Sequence, residues 1–362
     1  MNDHNYKIYK NIMATDPVID EIYLNSILNL SETQKICNVV LDEVKESNTS
    51  LVIKATVKFG GYDEIDTRKL FIKTVNHNQY ENAYHNMSMK EGKFYKLIRD
   101  NNINNLLIPR CYDIFISEDT GEFLIVLEDL SEKYVVSDSA KFNDKNVWFS
   151  CIDSLAQFHS RLWNNAIIDS LITGREMREI EAESKSQKEQ LHKFLLQFNE
   201  KFNHKIRKIF NHVMEINISL MKERQQRVYS KNNITICNGD SHIYNFMLPT
   251  GESYNPLIVD FQFWGEGIGT ADLAHFTRVG FSDELKEKIQ IPLVEYYHTA
   301  LLKNGVTNYS WNSCFRGYHL HAATMVLIPF YQYIGFGIEY NKWINDLQGL
   351  LFNYDYLECY NL

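Results

Sequence analysis

Two short polar motifs, each next to an apolar run, constrain this chain more than any other part of its sequence. The first is Ile236-Cys237-Asn238-Gly239-Asp240-Ser241-His242-Ile243-Tyr244-Asn245-Phe246-Met247, and the second is Leu257-Ile258-Val259-Asp260-Phe261-Gln262. On its own, Asn-Gly-Asp-Ser is turn chemistry found in any protein, because Asn, Gly and Asp accept backbone that other residues resist. The spacing says more. Asn245 follows Asp240 by five residues, and Asp260 follows Asn245 by fifteen. The apolar stretches 246–248 and 257–259 predict a paired hairpin that brings Asn245 and Asp260 to one end. A carboxylate, an amide and a second carboxylate so arranged suit phosphoryl transfer. One carboxylate takes a hydroxyl proton, and the other two groups offer hard oxygens to magnesium on nucleotide phosphates.

Composition narrows the setting. The 362 residues are 44% hydrophobic and 23% charged, values of a globular chain able to bury a large core. A net charge of -9 argues against nucleic acid as a partner, since such a binder shows a basic footprint. The six cysteines (37, 111, 151, 237, 314 and 359) are scattered without a CxxC pair, which fits reduced thiols of a cytoplasmic protein. The polar start Met1-Asn2-Asp3-His4-Asn5 has no apolar signal region, and no apolar run is long enough for a membrane span. Monomer and dimer are both compatible with the sequence.

Hydrophobic periodicity divides the chain in two. Residues 16–35 read as a helix that Asp16 caps and Pro17 opens. Strands are expected at 37–45, 51–59 and 69–75, with Gly60-Gly61 turning the second into the third. A helix follows over 80–99, then strands at 111–117 and 122–127 joined by Asp119-Thr120-Gly121. Beyond residue 131 the pattern is mainly helical. A helix is expected over 142–163. Apolar positions 191, 195, 198, 202, 206, 209, 213, 216 and 220 keep the helical period and predict one long helix over 191–220. The charged, Ser-rich stretch 175–190 before it reads equally as loop or exposed helix.

In the first half, Lys73 stands inside the apolar strand Leu70-Phe71-Ile72-Lys73-Thr74-Val75. A lysine there is costly unless it meets an anion, so it asks for a carboxylate partner and a phosphate. The competing reading is an edge-strand lysine facing water.

These motifs resemble the aminoglycoside phosphotransferase and choline kinase superfamily, and within it the ecdysteroid kinase-like branch. That branch carries H-G-D-x-x-x-x-N-x-M, D-F-Q and L-E-D-L. The matching residues are Asn238-Gly239-Asp240 with Asn245 and Met247, Asp260-Phe261-Gln262, and Leu127-Glu128-Asp129-Leu130; Leu155-Ala156-Gln157-Phe158-His159 resembles the preceding helix. Asn238 stands where the family usually has His.

The resemblance implies an α+β, protein-kinase-like bilobal fold. Its parts would be a small β-rich N-lobe over 1–127, a hinge at 128–131, and a helical C-lobe over 132–362. That lobe would hold the catalytic loop 236–247 and a helical insert at about 170–230. It further implies ATP, with GTP not excluded, and Mg2+, acting on a small hydroxylated substrate. Asp240 would be the base, and Asn245 and Asp260 the metal ligands. Lys73 with Glu91 would hold phosphates, Glu81 being the alternative partner. Ser50 would close a phosphate loop that lacks glycine, and Glu128, Asp129 and Leu130 would meet the base of the nucleotide. His242 would touch phosphate or brace the loop, and Asp272 would brace it from Gly269-Thr270-Ala271-Asp272.

Acceptor alternatives follow from side chains nearer the C-terminus. Trp264, Trp311, Tyr318, Tyr331 and Tyr333 would supply an apolar wall or a cation–π cage, as for choline or ethanolamine. Glu176, Glu179, Glu181, Glu183, Asp355 and Glu358 would suit an aminoglycoside. A degenerate kinase fold that only binds nucleotide is the non-enzymatic alternative.

Overall fold

The structure, a computed structural model, describes residues 21–28, 30, 34–46, 50–60, 65–75, 83–136, 144–171, 177–251, 255–278, 283–336, 351 and 354. The chain forms two units. One comprises Met1–Val135, Pro249–Glu252 and Val259–Phe263, and the other Val136–Leu248, Ser253–Ile258 and Trp264–Leu362. The D-F-Q segment thus belongs with the N-terminal unit, although it lies far along the chain.

The first unit opens with helix α1 (Glu21–Leu28) and continues through β1 (Lys35–Glu46), β2 (Leu51–Gly60) and β3 (Ile65–Thr74). Helix α2 (Ala83–Asp100), β4 (Cys111–Ile116), β5 (Phe123–Glu128) and the short β6 (Tyr134–Val136) follow. Five strands form one antiparallel sheet in the order β1-β2-β3-β5-β4. Alternation explains its two faces. Ile53, Ala55, Val57 and Phe59 of β2 and Leu70 and Ile72 of β3 are buried together with Tyr23, Leu24, Ile27 and Leu28 of α1. Lys73, next to Ile72, therefore points to the other face. The helix expected over 16–35 is described over Glu21–Leu28, and Lys35 already begins β1. β3 starts four residues earlier than expected, extending its pairing with β2 to Ile65.

The second unit contains α3 (Lys145–Leu162), α4 (Met177–Gln197) and α5 (His204–Ser230). Next come the short strands β7 (Thr235–Cys237), β8 (Phe246–Pro249), β9 (Leu257–Ile258) and β10 (Gly265–Gly267). Helices α6 (Thr270–Arg278), α7 (Asp283–Lys303), α8 (Trp311–Thr324) and α9 (Ile328–Phe336) complete the described part. β8 pairs with β9 through Phe246↔Ile258 and Met247↔Leu257, and β7 pairs with β10.

The single helix expected over 191–220 is two helices, and the preceding charged stretch is helical from Met177. The periodicity runs through the break because Phe198 and Phe202, on the connecting turn, enter the same aromatic cluster as Phe194 and Phe210. Asn203 restarts the helix, its side chain accepting the Ile206 N–H at 2.9 Å. The five cysteines among the described residues are free, and no described helix is long and apolar enough to cross a membrane.

Candidate active site

The loop after β7 is shaped by its own polar side chains. Gly239 takes φ +83°, a backbone that other residues resist. Asn238 Oδ1 accepts the Asp240 N–H at 3.0 Å and the Ser241 hydroxyl at 3.4 Å. This is an Asx turn, so the ordinary reading of Asn-Gly-Asp-Ser and the functional one describe the same object. Asn245 folds back, its Nδ2 donating to the Asp240 carbonyl at 2.8 Å and toward Asp240 Oδ2 at 3.3 Å. The amide oxygen is the group that Asn245 has left to offer a cation. Asp240 itself is partly exposed, with His242 Nε2 3.6 Å from Oδ2 and His275 Nδ1 3.5 Å from Oδ1.

Behind the loop, Asp272 in the first turn of α6 is almost fully buried. Its carboxylate accepts the N–H groups of Asn238 at 2.7 Å and Gly239 at 2.9 Å. His159, at the end of α3, lies with Nε2 3.2 Å from Asp272 Oδ2 and Nδ1 2.7 Å from the Tyr297 hydroxyl. Burial pushes the Asp272 carboxyl up, but His159 and the two backbone donors outweigh it and hold the pKa below the usual carboxylate range. Gly269 makes room for this arrangement: a Cβ there would sit 2.3 Å from the Tyr297 hydroxyl and 2.9 Å from His159 Nδ1. His159, Cys237 and Asp272 lie close enough to suggest a metal site. The donors already on Asp272, and a Cys237 thiol that burial pushes well up, mark it as a hydrogen-bonded brace.

The first unit holds the second group of predicted residues. Lys73 Nζ is 2.7 Å from Glu91 Oε2, with Glu91 almost fully buried; Glu81 lies outside the described residues. Burial lowers the Lys73 pKa, yet Glu91 and Asp260 together raise it above the ordinary lysine value. Asp260 adopts φ +60°, which Asp tolerates better than most residues. Its neighbour Phe261 is fully buried and stacks on Phe94 of α2, centroids 3.8 Å apart and planes 8° from parallel. Glu91, Phe94 and Tyr95 share one face of α2, so the helix that pairs Lys73 also anchors the Asp260 segment.

Ser50 is fully buried, and residues 47–49 of the expected phosphate loop lie outside the described part. The Glu128 and Asp129 N–H groups donate to the carbonyls of Arg110 and Lys69, and the Leu130 carbonyl accepts from Lys133 and Tyr134.

The five aromatic side chains do not gather into one cage. Tyr318 is buried against Thr277 at 2.8 Å, and Trp311 lies against His298 and Phe315. Tyr331 bonds Asn217, Tyr333 bonds Gln197, and Trp264 is buried. Glu179 and Glu181 are exposed on α4, Glu183 accepts from Gln187, and Glu176, Asp355 and Glu358 lie outside the described residues.

Sequence reasoning missed the partnership of His159 with Asp272 and Tyr297, and the approach of His275 to Asp240. The motif segments Leu155-Ala156-Gln157-Phe158-His159 and Asp272-Leu273-Ala274-His275 contained both histidines, but no local signal pairs residues 113 apart.

An antiparallel five-stranded sheet with an embedded helix, followed by a mainly helical part carrying a polar loop, defines the kinase-like fold. The GDP complex of aminoglycoside 2'-phosphotransferase-IIIa matches with a TM-score of 0.53 at 12% identity, covering 98% of this chain and 99% of that one. A choline kinase from Cryptosporidium parvum Iowa II matches with a TM-score of 0.52 at 10% identity, covering 99% of this chain and 97% of that one. No curated protein matches by sequence. Residues 40–306 match the ecdysteroid kinase-like family, and the chain belongs to that family. It is a small-molecule kinase.

Proposed function

We propose that the protein transfers the γ-phosphoryl group of ATP, or alternatively GTP, to a hydroxyl of a small molecule, with Asp240 as base. The observation that carries this reading is the fixed loop. Asp272 holds the backbone on the N-terminal side of Asp240, and Asn245 holds its carbonyl, leaving a partly exposed carboxylate at the tip. In the reaction the acceptor oxygen bonds to the γ-phosphorus while the bond to the β–γ bridging oxygen breaks. The hydroxyl proton passes to Asp240, and the nucleoside diphosphate leaves. Lys73, oriented by Glu91, would neutralise phosphate oxygens. Asn245 and Asp260 would hold magnesium, which when bound neutralises phosphate charge. Their oxygens are of the hard type that magnesium prefers, and the extra negative charge that Asp260 adds beside Lys73 and Glu91 suits a cation. The GDP-bound neighbour supports nucleotide as the donor.

The acceptor in this reading is neutral or weakly charged with a sizeable apolar body. The family assignment supports this, and the described Glu179 and Glu181 lie exposed on α4. Phosphorylation by mass shift over a panel containing an ecdysteroid, choline, ethanolamine and an aminoglycoside tests the acceptor class. A polycationic acceptor whose KM rises steeply with salt overturns the neutral-acceptor reading. Asp240→Asn tests the mechanism. Nucleotide binding should persist while turnover falls by about 10²–10⁴, the contribution of a general base. Near wild-type turnover removes Asp240 from the role.

A further inference from the structure

Three consecutive residues of the loop, 238–240, face one helix. Asp272 and His275 are three residues apart on α6 and so share a face. Asp272 accepts the backbone N–H groups of Asn238 and Gly239. His275 brings Nδ1 to 3.5 Å from Asp240 Oδ1. That nitrogen is buried and has no hydrogen-bond partner among the described residues. A buried ring nitrogen that faces a carboxylate must carry the proton, because a lone pair in that position would repel the oxygen. The distance is longer than a formed N–H···O bond, and contacts of this kind tighten in the reactive complex.

We infer that His275 is a positioning residue: its Nδ1–H holds the Asp240 carboxylate in one orientation. This inference rests on the reading of Asp240 as the base. Two further observations fit it. Burial, with His242 beside it, pushes the His275 pKa down to about 4, so the ring meets Asp240 as a neutral donor. A neutral donor orients a base, whereas an imidazolium would pair with the carboxylate and quench it. His242 approaches the other oxygen, Oδ2, at 3.6 Å, and the two imidazole rings lie edge to face at 5.9 Å. His242 belongs to the loop itself, while His275 sits on the helix that braces the loop. One helix thereby sets both the backbone path and the carboxylate orientation of Asp240.

Nitrogen-15 NMR of histidine-labelled protein tests the contact without any substrate. His275 is assigned by the signal lost in His275→Asn. The Nδ1–H tautomer is expected for His275, with a return toward the Nε2–H form favoured in water when Asp240 is changed to Ala. A wild-type Nε2–H tautomer overturns the inference, whatever the enzyme's activity. Turnover supplies the second arm, using Mg·ATP and the panel compound that the wild-type enzyme phosphorylates. His275→Phe keeps a ring and removes the donor, and kcat should fall by about tenfold to a hundredfold with the ATP KM unchanged. His275→Asn places an amide nitrogen near the Nδ1 position and should restore most of the loss. Equal activity of the Phe and Asn variants overturns the positioning role, and the tautomer decides if the Phe variant does not fold. An Asp240→Asn enzyme that keeps its turnover takes away the base itself, and this inference falls with it even where the tautomer is as expected.

Discussion

Glu91 and Asp272 are both almost fully buried carboxylates, and the two units hold them in opposite ways. Glu91 faces a full charge, the Lys73 ammonium at 2.7 Å. Asp272 faces two backbone N–H groups and an imidazole. The first arrangement places a charge. A buried ion pair adds little net stability, because desolvating two ions offsets their attraction, and its value lies in presenting the ammonium at a set point. The second arrangement places a backbone. Charge-assisted bonds from N–H groups are among the stronger hydrogen bonds in proteins, and they fix the path of the chain that carries them. In the proposed reading, the nucleotide side is thus organised by charge, and the hydroxyl side by backbone geometry.

Removing one ion should break that contrast most sharply. Lys73→Met leaves Glu91 buried and unpaired, and denaturant unfolding should show a loss of about 3–5 kcal/mol. The double variant Lys73→Met/Glu91→Leu should recover much of this stability and still fail to bind nucleotide tightly. A double variant as unstable as the single one would mean that the pair holds the fold and not merely the charge.

Asp272→Asn keeps the shape but offers one acceptor oxygen where two N–H groups and His159 now compete. A loss of about 2–3 kcal/mol is expected, with turnover falling and nucleotide affinity nearly unchanged. An equal fall in nucleotide affinity would blur the separation of the two regions. Asp260→Ala, in the charge-organised unit, should weaken nucleotide binding in magnesium by at least about tenfold, or ~1.4 kcal/mol, and far less in EDTA. Equal weakening in both buffers would make Asp260 structural.

A different kind of effect concerns pH. His321 has its pKa pushed down to about 4, burial outweighing its bond to the Gly317 carbonyl. Between about pH 6.5 and pH 4 the unfolded chain binds a proton at His321 that the folded chain does not, so stability rises with pH across this window and is lost as pH falls. His321→Asn should flatten that dependence by up to about 1.4 kcal/mol per pH unit. An unchanged slope would show that this histidine is not the titrating group.

The sheet was legible because its signals are local. Alternation in β2 and the lysine inside β3 needed no knowledge of distant residues. The lysine's need for a carboxylate on the next helix followed from its place in an apolar strand, and the family resemblance picked out Glu91. The helical break at 198–203 was hidden because Phe198 and Phe202 keep an apolar period while serving a turn, and Asn203 was its only local marker. Asn238 in place of the family's His left loop rigidity open. Its Oδ1 caps Asp240 N–H and Ser241, and the loop gains its support from Asp272. The resemblance pointed to Asp272 as the brace, but its partners His159 and Tyr297 lay beyond sequence reach, since α3, α6 and α7 contribute one side chain each.

That brace also has a kinetic side. The contact of Asp272 with Asn238 closes a loop of 34 residues, that of His159 with Asp272 spans 113, and that of His159 with Tyr297 spans 138. Contacts of such separation form only after much of the chain's freedom has been surrendered, whereas neighbouring helices such as α4 and α5 meet through short separations. During refolding, the loop that carries Asp240 should therefore acquire protection from hydrogen exchange later than α4 and α5. Competence would arrive at the end of folding, and a chain with native helix content would pass through an interval in which it is compact yet inactive.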